Sequence, residues 1–109
     1  MTSEQDERAH RAALDWAGTA RRRREQVRVD LRNGDVDLAA VLAARTEDPD
    51  LGVVRLLWVL ESVPGARKIS TRRALDAMGI DQAMPLAAID DPLCAVLVER
   101  FADPAELDR

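Results

Sequence analysis

The first third of the chain has the pattern of one long helix, and this segment strongly limits how a chain of 109 residues can fold. Ser3 and Asp6 have the spacing of a capping box, and Asn33-Gly34 supplies a C-terminal stop. The predicted helix, residues 4–32, spans roughly 40 Å. Its apolar positions recur at helical intervals and form a narrow stripe: Ala9, Ala13, Trp16, Ala20, Val27 and Leu31. We therefore expect an arm that docks on a smaller body and is only partly buried.

The next segments also have helical spacing. Asp37 is placed to cap a short helix that begins at Leu38, and Asp50 is placed to cap a longer apolar helix over residues 51–62. That longer helix is the predicted centre of the core, and we expect Trp58 to pack in it rather than to serve as a platform for a ligand. Its predicted inward positions are Val53, Leu56, Leu57, Leu60 and Val63.

The second half of the chain continues the helical pattern. Ser70 or Thr71 would cap a helix over residues 72–78 that ends at Gly79, and Asp91-Pro92 begins the last helix. No stretch alternates with the period of two that is typical of strands, so the predicted fold class is all-α. We expect an N-terminal helical arm over 1–34, a compact helical body over 35–103 and a C-terminal tail over 104–109.

The charge of the chain is unevenly placed. The overall net charge of -4 argues by itself against a nucleic-acid partner. However, residues 21–32 (RRRREQVRVDLR) have a net charge of +4, residues 67–73 (RKISTRR) have another +4, and the other 90 residues have -12. Short basic segments create a local positive field for an anionic polymer, and an acidic remainder limits non-specific adhesion. The alternative is that both segments are solvated helix faces without a ligand.

A Pro-Gly turn stands between two predicted helices and leads into the second basic segment. The helix that follows would present unpaired backbone N–H groups and its positive dipole end at residues 70–72. Arg67 and Lys68 add full charges beside those donors. A phosphate would meet charge and directional donors together, and such contacts hold a nucleic-acid backbone without reading its sequence. An ordinary helical hairpin with a solvated loop is the alternative.

Several short segments occur in the order and spacing of one known family. They are residues 20–24 (ARRRR), 37–42 (DLAAVL), 60–65 (LESVPG), 78–80 (MGI) and 97–101 (LVERF). With them the chain resembles, from about Ala9 to Phe101, the actinobacterial integration host factors, which are unrelated to the two-subunit enteric protein. The resemblance implies a long helix on a body with a helix-two-turns-helix motif.

The same resemblance implies a non-enzymatic nucleoid protein that binds double-stranded DNA with little sequence preference and bends it. The sequence itself shows no apolar wedge that would produce a bend. The positions that match the family's phosphate contacts are Arg21, Arg22, Arg24, Arg28, Arg32, Gly65 and Lys68. Local charge and hydrogen-bonding capacity add Arg67, Ser70, Thr71, Arg72 and Arg73 to the predicted site.

The turn departs from the family pattern Pro-x-Val-Gly-Lys. Arg67 stands in place of the second glycine, and Ala66 in place of the valine. If that glycine needs a positive φ or a close approach of DNA, Arg67 strains the loop or blocks the approach; if the loop tolerates a side chain, Arg67 is an extra cation. Ser70 replaces a basic residue, for which Arg72 and Arg73 can compensate.

The other chemistry-bearing residues form no catalytic or metal-binding set. The chain has one histidine, His10, and one cysteine, Cys94, so it can form neither an internal disulfide nor a set of soft zinc ligands. We expect His10 to be solvated and Cys94 to pack in the core. No phosphate-loop or dinucleotide fingerprint occurs. The sequence therefore predicts a protein that is not an enzyme and that uses no cofactor or metal.

Nothing in the sequence predicts a membrane partner. No apolar run approaches the roughly 20 residues that cross a bilayer, and the start MTSEQDERAH lacks the order of a secretion signal. The single cysteine suits a reducing compartment. We therefore expect a cytoplasmic protein of the nucleoid.

Two functions remain open at this point. The first is a DNA-binding protein that contacts the phosphate backbone. The second is a diverged relative that binds a basic protein or a DNA-binding paralogue through an acidic C-terminal face. The second rests on residues 86–94, where the family is rich in arginine and this chain has Asp90 and Asp91 and no basic residue. A second DNA-contacting surface is then lost, because these carboxylates would repel phosphate.

Overall fold

The arm is one continuous helix. A computed structural model describes residues 2–108; Met1 and Arg109, the ends of the predicted arm and tail, lie outside the described residues. Helix α1 covers Thr2–Asn33, so it starts before the predicted cap Ser3. Its stop is the predicted one, because Gly34 has a φ of 77° and the N–H groups of Gly34 and Asp35 donate to the carbonyls of Leu31 and Asp30.

Only the C-terminal half of α1 packs on the body. Val27 and Leu31 are buried, and Ala20 is half-buried. The predicted stripe does not extend to the N-terminal half, where Ala9 and Ala13 are exposed and Trp16 keeps 61% of its surface. The molecule measures 63 × 28 × 25 Å because this half of the helix projects beyond the body.

The body consists of short helices around an aliphatic core. They are α2 (Leu38–Ala43), α3 (Pro49–Gly52), α4 (Leu56–Glu61), α5 (Lys68–Ala77) and α6 (Asp91–Phe101), with 3-10 helices at Leu86–Ala88 and Pro104–Asp108. Asp37 caps α2 as predicted, since its Oδ1 accepts a hydrogen bond from the N–H of Ala40 at 2.8 Å. The core has few aromatic rings: its fully enclosed side chains are mainly Leu31, Leu42, Leu51, Leu56, Leu60, Leu75, Leu86 and Leu97.

The predicted helix over 51–62 is wrong, because the chain breaks it at residues 53–55. The carbonyl of Val54 accepts from the N–H of Leu86, and the N–H of Leu56 donates to the carbonyl of Met84, both at 2.9 Å. These long-range bonds replace helical ones, and Val53 turns outward with 58% of its surface exposed. The cap also lies two residues earlier than predicted, at Asp48 rather than Asp50.

The last helix and the C-terminal segment close the body. Asp90, one residue before the predicted start, caps α6 by accepting from the N–H of Leu93 at 2.9 Å. Pro104 is buried and Leu107 is half-buried, so the described part of the predicted tail, residues 104–108, packs on α5 and α6.

The fold class is all-α, as predicted. Within residues 2–108 the only β-type pairing is an isolated bridge between Arg55 and Pro85. None of the described helices is long and apolar enough to cross a membrane.

Candidate functional site

The predicted cations of the arm do not share one environment. Arg21, Arg22, Arg24 and Arg32 are exposed on α1. Arg28 is half-buried, and its guanidinium lies 2.8 Å from the Glu25 carboxylate, one helical turn away. Arg28 is therefore partly neutralised, whereas none of the four exposed arginines has an acidic partner within the described residues.

Two adjacent arginines attach the arm to the body. Arg23, which belonged to no predicted site, donates from Nε to Asp48 Oδ2 at 2.8 Å. Arg24 places its guanidinium over the ring of Trp58, 5.8 Å from the centroid, which is a cation-π distance. Trp58 is half-buried against the core, as predicted. The positive segment of α1 is thus held against α3 and α4.

Asp48 has a lowered pKa as a result of these contacts. Burial alone would raise the pKa of this carboxyl, but the hydrogen bond from Arg23 and the N–H of Leu51, together with the charge of Arg23, outweigh burial. The pKa of Asp48 therefore lies below its ordinary value of 3.8. The carboxylate stays ionised, and so keeps both the α3 cap and the attachment of the arm, over the neutral pH range.

Two successive turns connect α4 to α5. The N–H of Val63 donates to the carbonyl of Leu60 at 3.3 Å, and the N–H of Ala66 donates to the carbonyl of Val63 at 3.0 Å. The second turn has Pro64 in second position and Gly65 in third with a φ of 82°, which is the pattern of a type II turn. The helix-two-turns-helix arrangement is therefore present, and Gly65 is exposed at its tip.

Helix α5 starts four residues earlier than predicted. Its first residue is Lys68 and its N-cap is Arg67, so Ser70 and Thr71 lie inside the helix rather than capping it. The Thr71 side chain is only 1% exposed and its hydroxyl donates to the carbonyl of Arg67 at 2.8 Å. The predicted capping role of Thr71 is thus wrong, because its hydroxyl stabilises the first turn of α5 from inside. Its contact with a ligand stays a prediction.

Arg67 does not strain the loop. Its backbone is extended, with a φ of -115° and a ψ of 135°, and no non-glycine residue among those described has a positive φ. In this chain, position 67 therefore needs no positive φ, and the strain expected from replacing a glycine there is absent. The Arg67 side chain is exposed beside Lys68 at the N-terminus of α5.

The other two cations of α5, Arg72 and Arg73, have different surroundings. Arg72 lies 3.7 Å from Glu61 of α4, so its charge is partly balanced. Arg73 is exposed, and with Ser70 it lines a shallow depression that also includes Arg100 of α6. Arg100 extends the positive surface of α5 and was missed by the sequence, because no local spacing relates it to residues 67–73.

The acidic C-terminal face is partly used inside the protein. Asp90 caps α6, and Asp91 accepts from the guanidinium of Arg45 at 2.8 Å. Arg45 is only 7% exposed and also donates to the carbonyls of Leu42 and Ile89, a buried role that the sequence pattern did not indicate. The two carboxylates therefore have structural partners, and Asp91 is locally neutralised.

The two residues that could suggest catalysis lie apart. His10 is exposed on the projecting half of α1, as predicted. Cys94 is half-buried against the core, also as predicted, with Nη1 of Arg45 at 3.6 Å from its Sγ. The arrangement as a whole offers cations and backbone donors for an anionic ligand.

Comparison with known proteins finds similar sequences. No family model matches the chain. The chain is 28% identical over 90 residues to the integration host factor of Streptomyces coelicolor. The matched region covers 83% of this chain and 84% of that protein. It is 29% identical over 90 residues to the integration host factor of Mycobacterium tuberculosis, with 83% and 86% covered.

A solved structure supports the same similarity. The structure of sIHF bound to an 8-bp palindromic DNA superposes with a TM-score of 0.74 and 25% identity, and the match covers 80% of this chain and 98% of that one. The chain is similar in sequence and fold to the actinobacterial integration host factors. The resemblance predicted from the sequence is thus confirmed. Relative to the integration host factor pattern, Arg67 is an unstrained replacement, and the acids of the α6 start are tied to the body.

Proposed function

We propose that this protein is a non-enzymatic, nucleoid-associated protein that binds double-stranded DNA by its phosphate backbone. The observation that carries the proposal is the set of exposed arginines on α1, Arg21, Arg22 and Arg32, which have no acidic partner within the described residues. The similarity to integration host factors, one of them solved with DNA, supports the choice of ligand.

The turn and the start of α5 form the second part of the proposed interface. Arg67 and Lys68 are exposed where the first N–H groups of α5 point outward, so full charges and the helix dipole act on the same anion. Gly65 at the tip leaves open space, since a Cβ there would meet no atom within 4 Å. A DNA backbone can therefore approach the turn closely.

The predicted site residues contribute unequally in this proposal. Direct phosphate contacts come from six exposed cations, which are Arg21, Arg22, Arg32, Arg67, Lys68 and Arg73. The predicted site residue Arg24 lies over the Trp58 ring and adds long-range attraction from there. Arg28 and Arg72 add long-range attraction while they remain beside Glu25 and Glu61. Ser70 lies in the depression shared with Arg73, and Thr71 supports the turn. Residues 1–34 then act as the basic arm and residues 35–103 as the body that carries the motif.

Two basic segments allow a chain with a negative net charge to act as a component of the cytoplasmic nucleoid. Two basic segments attract one polyanion, and the acidic remainder reduces adhesion elsewhere. With about four to six phosphate contacts, the logarithm of the binding constant should fall with the logarithm of salt concentration at a slope of about -4 to -5. Contacts of this type carry no base information, so affinity should be similar on duplexes of unrelated sequence.

A fluorescence-anisotropy titration tests the function. Duplexes of equal length and unrelated sequence are titrated with the protein over a salt series, starting at about 50 mM. Binding with a steep salt slope and little dependence on sequence is expected. A flat salt response, or no binding at the lowest salt, would contradict the proposal. Donor and acceptor dyes on the duplex ends report bending in the same samples, because a bent duplex brings its ends closer.

The alternative function depends on the acidic face. Asp90 and Asp91 bind groups of the body, but both are exposed, and the Asp91 side chain keeps 98% of its surface for a basic protein partner. Failure to bind any duplex, together with co-purification of a basic protein, would favour this alternative.

A further inference from the structure

A cleft lies between the arm and α3, at the point where α1 meets the body. Its volume is about 360 Å³ and it opens to solvent. One wall is α1 and the other is the residues at and after the short helix α3. The lining residues are Trp16, Ala17, Ala20, Arg21, Arg24, Asp50, Val53 and Val54.

The apolar part of this cleft is exposed to an unusual degree. Trp16 and Val53 stand on opposite walls, and both keep more than half of their surface accessible to water. Ala17 and Ala20 of α1 line the cleft together with the indole. An exposed apolar surface with a charged rim is typical of a binding site, because leaving such surface in water is unfavourable.

The charged groups of the cleft limit what can occupy it. Arg21 is exposed and has no acidic partner in the described part of the chain, whereas Arg24 is engaged with Trp58. Asp50, on the opposite wall, would repel a bare phosphate and can accept a hydrogen bond from an N–H donor. The occupant must therefore combine a flat apolar face, an N–H donor and a neighbouring negative charge.

A nucleotide of DNA combines these three features. Its base can stack on an aromatic side chain, its exocyclic amino group can donate to a carboxylate, and its phosphate can bind an arginine. Resting on the DNA-binding function proposed above, we propose that this cleft holds an unpaired DNA base that carries an exocyclic amino group. The base stacks on Trp16, donates to Asp50 and keeps its phosphate at Arg21. The protein then prefers DNA with a displaced base over a perfect duplex.

The test compares four labelled duplexes that differ at one position. The first is fully paired, the second has one extra unpaired dC, the third has an unpaired dT in its place, and the fourth has an unpaired abasic nucleotide. The abasic duplex controls for flexibility, because it has the bulge without a base to stack. We expect the dC duplex to bind roughly tenfold more tightly than the paired and abasic duplexes, with dT between them because thymine has no exocyclic amino group and offers Asp50 only its ring N3–H.

Two variants separate the parts of the site. Trp16→Ala should remove the preference for the dC duplex and leave binding to the paired duplex nearly unchanged. Asp50→Asn should reduce the preference for dC over dT and keep the preference for a base over the abasic nucleotide. Both side chains lie at the surface of the cleft, and circular dichroism verifies that each variant is folded.

The outcomes of the two proposals differ. Equal binding of all four duplexes by the wild type overturns the base-binding cleft but not the DNA-binding function. Absence of binding to the paired duplex overturns the function itself. A wild-type protein that sediments as a dimer and becomes monomeric in Trp16→Ala, with no base preference, also overturns the cleft proposal, because a second copy then covers Trp16.

Discussion

Arg23 of the arm and Asp48 of the body are joined by a hydrogen bond of 2.8 Å from Nε to Oδ2. The other oxygen of the same carboxylate accepts from the N–H of Leu51 at 3.2 Å and caps α3. One carboxylate thus fixes the start of α3 and the position of α1. Since the cleft and the exposed arginines of α1 lie along this contact, the shape of the interface depends on it.

Two substitutions of Asp48 should separate its two roles. Asp48→Asn keeps an oxygen that can cap α3 but loses the ion pair, so we expect the free energy of unfolding to fall by about 0.5–1 kcal/mol, a modest loss because both side chains are partly exposed. Asp48→Ala loses the cap as well and should cost about 1 kcal/mol more. Urea unfolding followed by circular dichroism measures both. Equal losses for the two variants would show that the α3 cap contributes nothing beyond the ion pair.

The lowered pKa of Asp48 should appear in the acid dependence of stability. Because the pKa is lower in the folded chain, protons bind more tightly to the unfolded chain, and the stabilisation is complete at pH values above the ordinary 3.8. It is lost as the pH falls from 3.8 towards the lower folded pKa. The difference in unfolding free energy between the wild type and Asp48→Asn should therefore be constant near neutral pH and shrink below pH 3.8. A difference that grows on acidification would contradict this assignment.

Two glycines should respond to alanine in opposite directions. Gly65 has a φ of 82°, where an L side chain is disfavoured, so Gly65→Ala should lower the free energy of unfolding by about 1–2 kcal/mol. Gly18 lies inside α1, and a Cβ there would only touch the end of the Arg22 side chain at 3.4 Å. Gly18→Ala should therefore raise stability by about 0.5–1 kcal/mol. Thermal unfolding of both variants tests the pair, and destabilisation by Gly18→Ala would show that the helix is not regular there.

Arg45 should be among the most sensitive charged residues. Its buried guanidinium donates to the carbonyls of Leu42 and Ile89. Arg45→Ala leaves the Ile89 carbonyl without this donor, whereas the Leu42 carbonyl keeps the backbone N–H of residue 45, so the substitution should cost about 2–3 kcal/mol. The partner Asp91 has a side chain that is 98% exposed, so Asp91→Asn should cost at most about 1 kcal/mol. Chemical unfolding compares the two, and a small loss for Arg45→Ala would mean that water replaces its hydrogen bonds.

Features that depend on neighbours in the sequence could be predicted. The stops at Gly34 and Gly79 and the turn at Gly65 need a positive φ, and the cap at Asp37 needs only the N–H three residues later. The basic segments are likewise visible as charge runs. Local chemistry decides these features, so the sequence indicates them without knowledge of the fold.

Features that depend on distant partners could not be predicted. The break at residues 53–55 arises because Val54 and Leu56 bond to residues about 30 positions later, Leu86 and Met84. The cleft beside Trp16 forms where α3 packs beside the arm, a contact that includes the long-range pair Arg23–Asp48. The Thr71 hydroxyl can either cap a helix or bond back to a carbonyl one turn earlier, and the packing of α5 decides for the second.

The salt dependence of two matched double variants tests the central claim most directly, because it counts phosphate contacts on each segment. One variant carries Arg21→Ala and Arg22→Ala on the arm, the other carries Arg67→Ala and Lys68→Ala at the turn, and Arg8→Ala with Arg11→Ala on the projecting half of α1 is the control. We predict that each of the first two loses about 2 from the magnitude of the salt slope on every duplex sequence, while the control keeps the wild-type slope. Salt slopes that are unchanged in both variants, or a loss restricted to one DNA sequence, would contradict the claim that both basic segments bind the DNA backbone.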